Sequence, residues 1–174
     1  MNKVLIADSV SSAVSEVFDK NGIAYDTKIG LSEDELATEI TEYSGLIVRS
    51  AVTVTEKIIN SASNLKVIGR PGVGVDNVDL KAATNNGIVV MNTPLGNVQA
   101  TAELTFGIMH SLMRKISNAN QSMHQKKWEK KKFIGNEMYG KTIGIIGFGN
   151  IGKKVSQIAH AYGCLLYTSD AADD

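Results

Sequence analysis

The sequence predicts an α/β protein built on parallel sheet, and two observations predict it. Short β-rich apolar runs alternate with helical stretches from the amino terminus to Val90. Farther on, a glycine-rich turn, Gly147-Phe148-Gly149-Asn150-Ile151-Gly152, separates another apolar run from an amphipathic helix. Strands that alternate with helices lie parallel, because each crossover helix carries the chain back across a face of the sheet and covers it.

Val4-Leu5-Ile6-Ala7 reads as the first strand, and Asp8-Ser9 as the start of a helix. Val10, Val14, Val17 and Phe18 repeat at helical spacing until Asn21-Gly22 stops it. A second strand covers Ala24 to Ile29. Ser32 and Glu35 have the spacing of a capping box, in which each side chain satisfies the other's free backbone N–H. Leu36 and Ile40 continue that helix. Leu46-Ile47-Val48 is a third strand that ends in Arg49-Ser50. Thr55 caps a helix carrying Ile58, Ile59 and Ala62. Leu65 to Ile68 is a fourth strand, Asp79 to Asn85 a short helix, and Ile88-Val89-Val90 a fifth strand. Thr93-Pro94-Leu95-Gly96 makes a turn. Asn97 caps a long helix whose stripe of Val98, Ala102, Thr105, Met109, Leu112 and Ile116 is expected to be buried. Trp128 and Phe133 are expected to anchor the polar stretch from Ser117 to Gly140.

Composition excludes several classes. The 174 residues are 43% hydrophobic and 21% charged, which suits a packed globular chain. Lys+Arg and Asp+Glu are both 18, and Lys130-Lys131-Lys132 is the longest block of one sign. This balance argues against nucleic-acid or membrane partners. The start is too short in apolar residues for a signal peptide, so a cytoplasmic protein is expected. The single Cys164 excludes a disulfide framework and a cysteine-based zinc site, and no metal is expected.

In parallel sheets ligands sit outside the carboxyl ends of strands. Arg49-Ser50, Arg70 to Asp76 and Asn92 to Asn97 all fall at such ends. The Gly147–Gly152 run is a G-x-G-x-x-G turn between the strand Thr142–Ile146 and a helix carrying Ile151, Val155, Ile158, Ala159 and Tyr162 on one face. Gly147 makes the tight turn, Gly149 lets backbone approach a pyrophosphate, and Gly152 lets helix and strand pack closely. The helix amino terminus then offers free N–H groups to the phosphates.

Such a turn needs an acid about 20 residues on for the ribose hydroxyls, and Asp170 stands at that distance. However, Cys164–Asp174 back-translates into a stretch resembling the transposon-end adapter of a sequencing-library method. The gene fragment is therefore expected to end at Gly163, with 164–174 a non-native tail, and Asp170 is not assigned. Cys164-Leu165-Leu166-Tyr167 can still pose as the next strand.

Several segments together resemble the D-isomer-specific 2-hydroxyacid dehydrogenase family. They are Leu46 to Ala51, Val67-Ile68-Gly69-Arg70, Gly72-Val73-Gly74-Val75-Asp76-Asn77-Val78-Asp79, Asn92 to Asn97, Ala102-Glu103-Leu104-Thr105, Lys127-Trp128-Glu129, and Gly140-Lys141-Thr142 running into the glycine turn. The resemblance implies a flavodoxin-like parallel-sheet substrate domain in residues 1–96, incomplete because its carboxyl-terminal return segment is missing. The start of a Rossmann dinucleotide-binding domain follows in 97–163. It implies an oxidoreductase that moves hydride reversibly between a small 2-hydroxyacid and NAD, homo-oligomeric when full length.

By the same resemblance Arg49, Ser50, Val73, Gly74 and Asn97 bind substrate. Val73, Thr101, Gly147, Gly149, Asn150, Ile151 and Gly152 meet the cofactor. Arg49 and the Trp128-Glu129 segment favour a phosphorylated substrate. The family's catalytic His–Glu pair and Arg lie downstream, and His110, His124 and His160 do not match them. No catalytic residue is assigned, and the chain alone is expected to be inactive. Three positions depart from the pattern: Pro71 for Ala, Asn150 for Arg and Lys130 for Arg. A glyoxylate or hydroxypyruvate reductase, or a non-catalytic NAD-sensing protein of the same fold, stays open.

Overall fold

Five short strands lie parallel in the order β2-β1-β3-β4-β5. They are β1 (Lys3–Ile6), β2 (Ala24–Thr27), β3 (Gly45–Ile47), β4 (Val67–Arg70) and β5 (Val89–Asn92). The molecule is a computed structural model that describes residues 3–169. Strands at the centre are covered on both faces, so Leu5, Leu46 and Ile68 are fully enclosed. The covering helices are α1 (Ser12–Lys20), α2 (Glu33–Glu39), α3 (Glu56–Ser61) and α4 (Leu80–Asn85). Of these, α2, α3 and α4 contribute Leu36, Ile58, Ile59 and Ala83 to one core. This strand order reverses direction between β1 and β3, which places the sheet's crevice at their carboxyl ends.

One local expectation holds as made, and several need correction. The capping box on α2 is present: Ser32 Oγ accepts from Glu35 N–H, and Glu35 Oε2 accepts from Ser32 N–H at 2.8 Å. Asp79, expected as the first residue of α4, lies just before it and caps it, accepting from Ala82 N–H at 2.9 Å. Asp8-Ser9 does not start α1, whose cap is Ser11, and Val10 lies outside the helix. Thr55 makes no side-chain cap and donates its hydroxyl to Glu33 instead, at 2.5 Å. β4 and β5 also run two residues past their expected ends, and pair Arg70 with Asn92.

A second unit begins at Asn97. It holds α5 (Val98–Met113), α6 (Ile116–His124), a 3₁₀ turn (Lys130–Phe133), β6 (Thr142–Ile146), α7 (Asn150–Ala161) and β7 (Leu165–Ser169). β6 and β7 pair in parallel, from Thr142 opposite Leu165 to Ile146 opposite Ser169. Ala102, Phe106, Met138, Val155, Ala159 and Cys164 form the core.

The long helix is shorter than its apolar stripe suggests. It stops at Arg114, Lys115 takes a left-handed φ of 53°, and α6 starts afresh. Its buried face is Ala102 and Phe106, flanked by Met109 and Met113, while Leu112 is 77% exposed and Ile116 is exposed. Trp128 anchors nothing and is 80% exposed, and Phe133 is half-buried. Among the described residues no helix is long and apolar enough to cross a membrane.

Candidate functional site

In the first unit the carboxyl ends of β1, β3, β4 and β5 carry one connected polar cluster. The β3 ladder ends where Val48 N–H donates to Gly69 O at 3.1 Å. Arg49 and Ser50 follow and are exposed, as a ligand-facing turn requires. The turn is held from beneath by Asp8, a buried carboxylate that accepts from Arg49 N–H and Ala51 N–H, each at 3.0 Å. The Arg49 guanidinium donates to Ser9 O at 3.3 Å. On its other flank Asn77 Nδ2 donates to Arg49 O at 2.5 Å and to Val52 O at 2.6 Å. Arg70 Nε in turn donates to Asn77 Oδ1 at 3.3 Å. One amide thus links the Arg49 backbone to the Arg70 guanidinium.

The Gly72-Val73-Gly74 loop lies beside them. A Cβ on Gly72 would sit 1.9 Å from Arg70 Nη1, so only glycine leaves the guanidinium its place over the loop. Asn92 Nδ2 donates to Val73 O at 2.6 Å, and Thr93 N–H donates to Gly72 O at 2.9 Å. The end of β5 therefore occupies the loop's carbonyls. The Val73 and Gly74 N–H groups have no partner among the described residues. Such N–H groups suit a carboxylate.

In the second unit the glycine turn has the form expected of it. Gly147 takes φ +91°, a conformation that L side chains rarely adopt. A Cβ on Gly152 would lie 2.3 Å from Gly147 O, so the helix start and the strand end touch through glycine alone. A Cβ on Gly149 would meet nothing within 4 Å, which leaves that side of the turn open to a ligand. α7 begins at Asn150, with no side-chain cap and no acid in its first turn. Lys153 N–H is the first to find a helical carbonyl, Gly149 O at 2.9 Å, so the amides of Asn150, Ile151 and Gly152 remain for a pyrophosphate. These residues fit a nicotinamide dinucleotide. Asn97 precedes α5 without making a side-chain cap, so its amide is free of the structural job expected of it. Thr101 stands one turn along, its N–H donating to Asn97 O at 2.8 Å. Asp170 lies outside the described residues.

Asp8 and Asn77 carry no site assignment from the sequence, and Arg70, placed there at a ligand-facing strand end, is given no binding role. An arginine closing an apolar strand before Pro71-Gly72 was a usable signal for Arg70. No local signal marks Asp8 as a turn holder, since the turn it holds, at Arg49 and Ala51, lies 41 and 43 residues away. His110, His124 and His160 sit on α5, α6 and α7, away from both glycine loops in sequence. Glu129, beside Trp128, is held below the usual carboxylate range by hydrogen bonds from Lys132 and Ser122.

Residues 4–173 match the sequence profile of the D-isomer specific 2-hydroxyacid dehydrogenase catalytic domain. A D-3-phosphoglycerate dehydrogenase of Synechocystis sp. is 48% identical over 98% of this chain, and one of Homo sapiens is 48% identical over 94%. The chain spans 30% and 31% of the length of these two relatives. The NAD+-bound 3-phosphoglycerate dehydrogenase of Entamoeba histolytica superposes with a TM-score of 0.75 at 30% identity. That match covers 98% of this chain and 54% of the other. With the profile running through both glycine loops, the chain belongs to the D-isomer specific 2-hydroxyacid dehydrogenase family.

Proposed function

We propose that the complete polypeptide oxidises D-3-phosphoglycerate to 3-phosphohydroxypyruvate with NAD, in the cytoplasm, as a homo-oligomer serving serine synthesis. Residues 1–96 are its substrate domain, 97–163 the start of its NAD-binding domain, and 164–174 a non-native tail. The observation that carries the phosphorylated substrate is Asn77, which ties the Arg49 backbone carbonyl and the Arg70 guanidinium into one cluster beside a loop whose N–H groups have no partner among the described residues. A guanidinium grips a phosphate through paired N–H donors, and two of them suit a dianion better than a neutral hydroxymethyl group. Val73 and Gly74 N–H then take the substrate carboxylate, with Ser50 and Asn97 as further contacts. Gly147, Gly149, Asn150, Ile151 and Gly152 hold the pyrophosphate, with Val73 and Thr101 near the nicotinamide. The dinucleotide, when bound, accepts hydride from C2. No residue of this chain is assigned the C2 hydroxyl proton, and these 174 residues alone are expected to be inactive.

The test is steady-state NAD reduction by the complete polypeptide with D-3-phosphoglycerate, D-glycerate and D-lactate. The phosphorylated substrate is expected to give the highest kcat/KM. Arg49→Ala is expected to raise its KM about ten- to hundredfold, the range of a charge-assisted contact. A preference for D-glycerate, or an unmoved KM, rejects the phosphate site.

A further inference from the structure

We propose that Asp8 and Asn77 are positioning residues for substrate binding. Together they fix the backbone of the Arg49–Val52 turn so that the Arg49 guanidinium and the Ser50 N–H face the substrate's anionic group. The inference rests on the reading of Arg49 given above and adds two residues that never touch substrate.

The strand ladder runs out just before this turn. Ala7 N–H donates to Ile47 O at 2.9 Å and Val48 N–H to Gly69 O at 3.1 Å; past these, neighbouring strands supply no partners for the turn. Side chains take over. Asp8 is only 6% exposed, and three backbone N–H groups converge on it: Ser9 at 2.7 Å on Oδ1, and Arg49 and Ala51 at 3.0 Å on Oδ2. A carboxylate accepts at both oxygens and donates nothing, which this crowd of donors requires. The N–H groups of Arg49 and Ala51 face Asp8, while the intervening Ser50 N–H has no partner among the described residues.

Asn77 completes the hold from the other side. It needs two donors for the carbonyls of Arg49 and Val52 and one acceptor for Arg70, and a primary amide is the side chain that has both. Both the N–H and the C=O of Arg49 are thereby tied by side chains, so little freedom is left to the backbone carrying the guanidinium. Pre-set geometry of this kind favours binding, because the cost of ordering the turn is met before the substrate arrives.

The experiment uses the complete enzyme with Asp8→Asn and Asn77→Asp, each alone and combined with Arg49→Ala. Asp8→Asn keeps size but turns a donor toward the turn's N–H groups. Each single variant is expected to raise the KM for D-3-phosphoglycerate about tenfold. kcat and NADH affinity, read by fluorescence titration, should stay within about twofold. In the Arg49→Ala background each should raise the KM by less than it does alone, since only the Ser50 N–H and Arg70 are left to position. An unmoved KM with a lowered melting temperature, or penalties that multiply in the double variants, overturns the positioning role while Arg49→Ala still vindicates the phosphate site. A KM unmoved by Arg49→Ala itself overturns both. Should Asp8→Asn fail to fold, Asn77→Asp reads the same turn from its other flank.

Discussion

Burial decides how Tyr43 titrates. Its ring is enclosed in the first core, and its hydroxyl donates to Asp26 Oδ2 at 2.6 Å. Burial, and then the hydrogen bond to an anion, push the phenol up to about 12. The same contact, after the Lys3 ammonium at 2.5 Å, holds Asp26 below the ordinary carboxylate range. The unfolded phenol ionises near 10. Between about 10 and 12 the unfolded chain has lost this proton and the folded chain keeps it, so unfolding becomes easier as pH rises. Below 10 the contribution is fully present. Urea unfolding between pH 9 and 12 should show the wild type losing stability faster than Tyr43→Phe, and parallel curves would refute this. The asymmetry of what could be read in advance is clearest at this scale. Arg49 was legible because it ends an apolar strand. Asp8 was misread as a helix start, because a carboxylate capping a helix and one capping a distant turn look alike in sequence.

Elements whose signals are local came through intact. The capping box of α2 and the glycine turn before α7 each depend on residues within a few positions of one another. The break between α5 and α6 left no such trace, since Lys115 takes its left-handed φ without glycine or proline nearby. The apolar pattern therefore ran straight across it and put Leu112 and Ile116 on the wrong face. In the glycine turn, two substitutions separate packing from binding. Gly152→Ala drives a Cβ into Gly147 O at 2.3 Å, and backbone cannot step aside as a flexible side chain can. It should cost about 1–3 kcal/mol, as overpacking does, and displace the helix start. Gly149→Ala puts its methyl in open space at an ordinary φ of −74°. It should leave the melting temperature unchanged and weaken NADH binding by about tenfold or more, because the methyl stands where backbone must approach a pyrophosphate. Calorimetry and NADH titration of the complete polypeptide check the pair. Equal loss of stability in both would mean that the open side of Gly149 is not a ligand face.

Across the whole molecule the two units are unequally closed, and the difference predicts how the chain fails. The first has five paired strands and a core in which Leu5, Ile40, Leu46, Ile58 and Ile68 are fully enclosed. Among its described residues the second pairs only β6 with β7, and a two-stranded sheet is marginal without further strands or cover. Ile146 is 90% exposed on it, with Leu165 and Tyr167 also exposed, and α5 turns Leu104, Ile108 and Leu112 outward. Its outer strand edges offer unpaired backbone groups, a template for association with other copies. Limited proteolysis read by mass spectrometry should therefore cut first within residues 97–169 and leave a resistant product ending near Gly96. Light scattering should rise with protein concentration while that unit is intact and fall once it has been removed. First cuts within residues 3–96 would mean that the sheet closed by five strands is the weaker body. Buried apolar area would then not be what sets the order of opening in this chain.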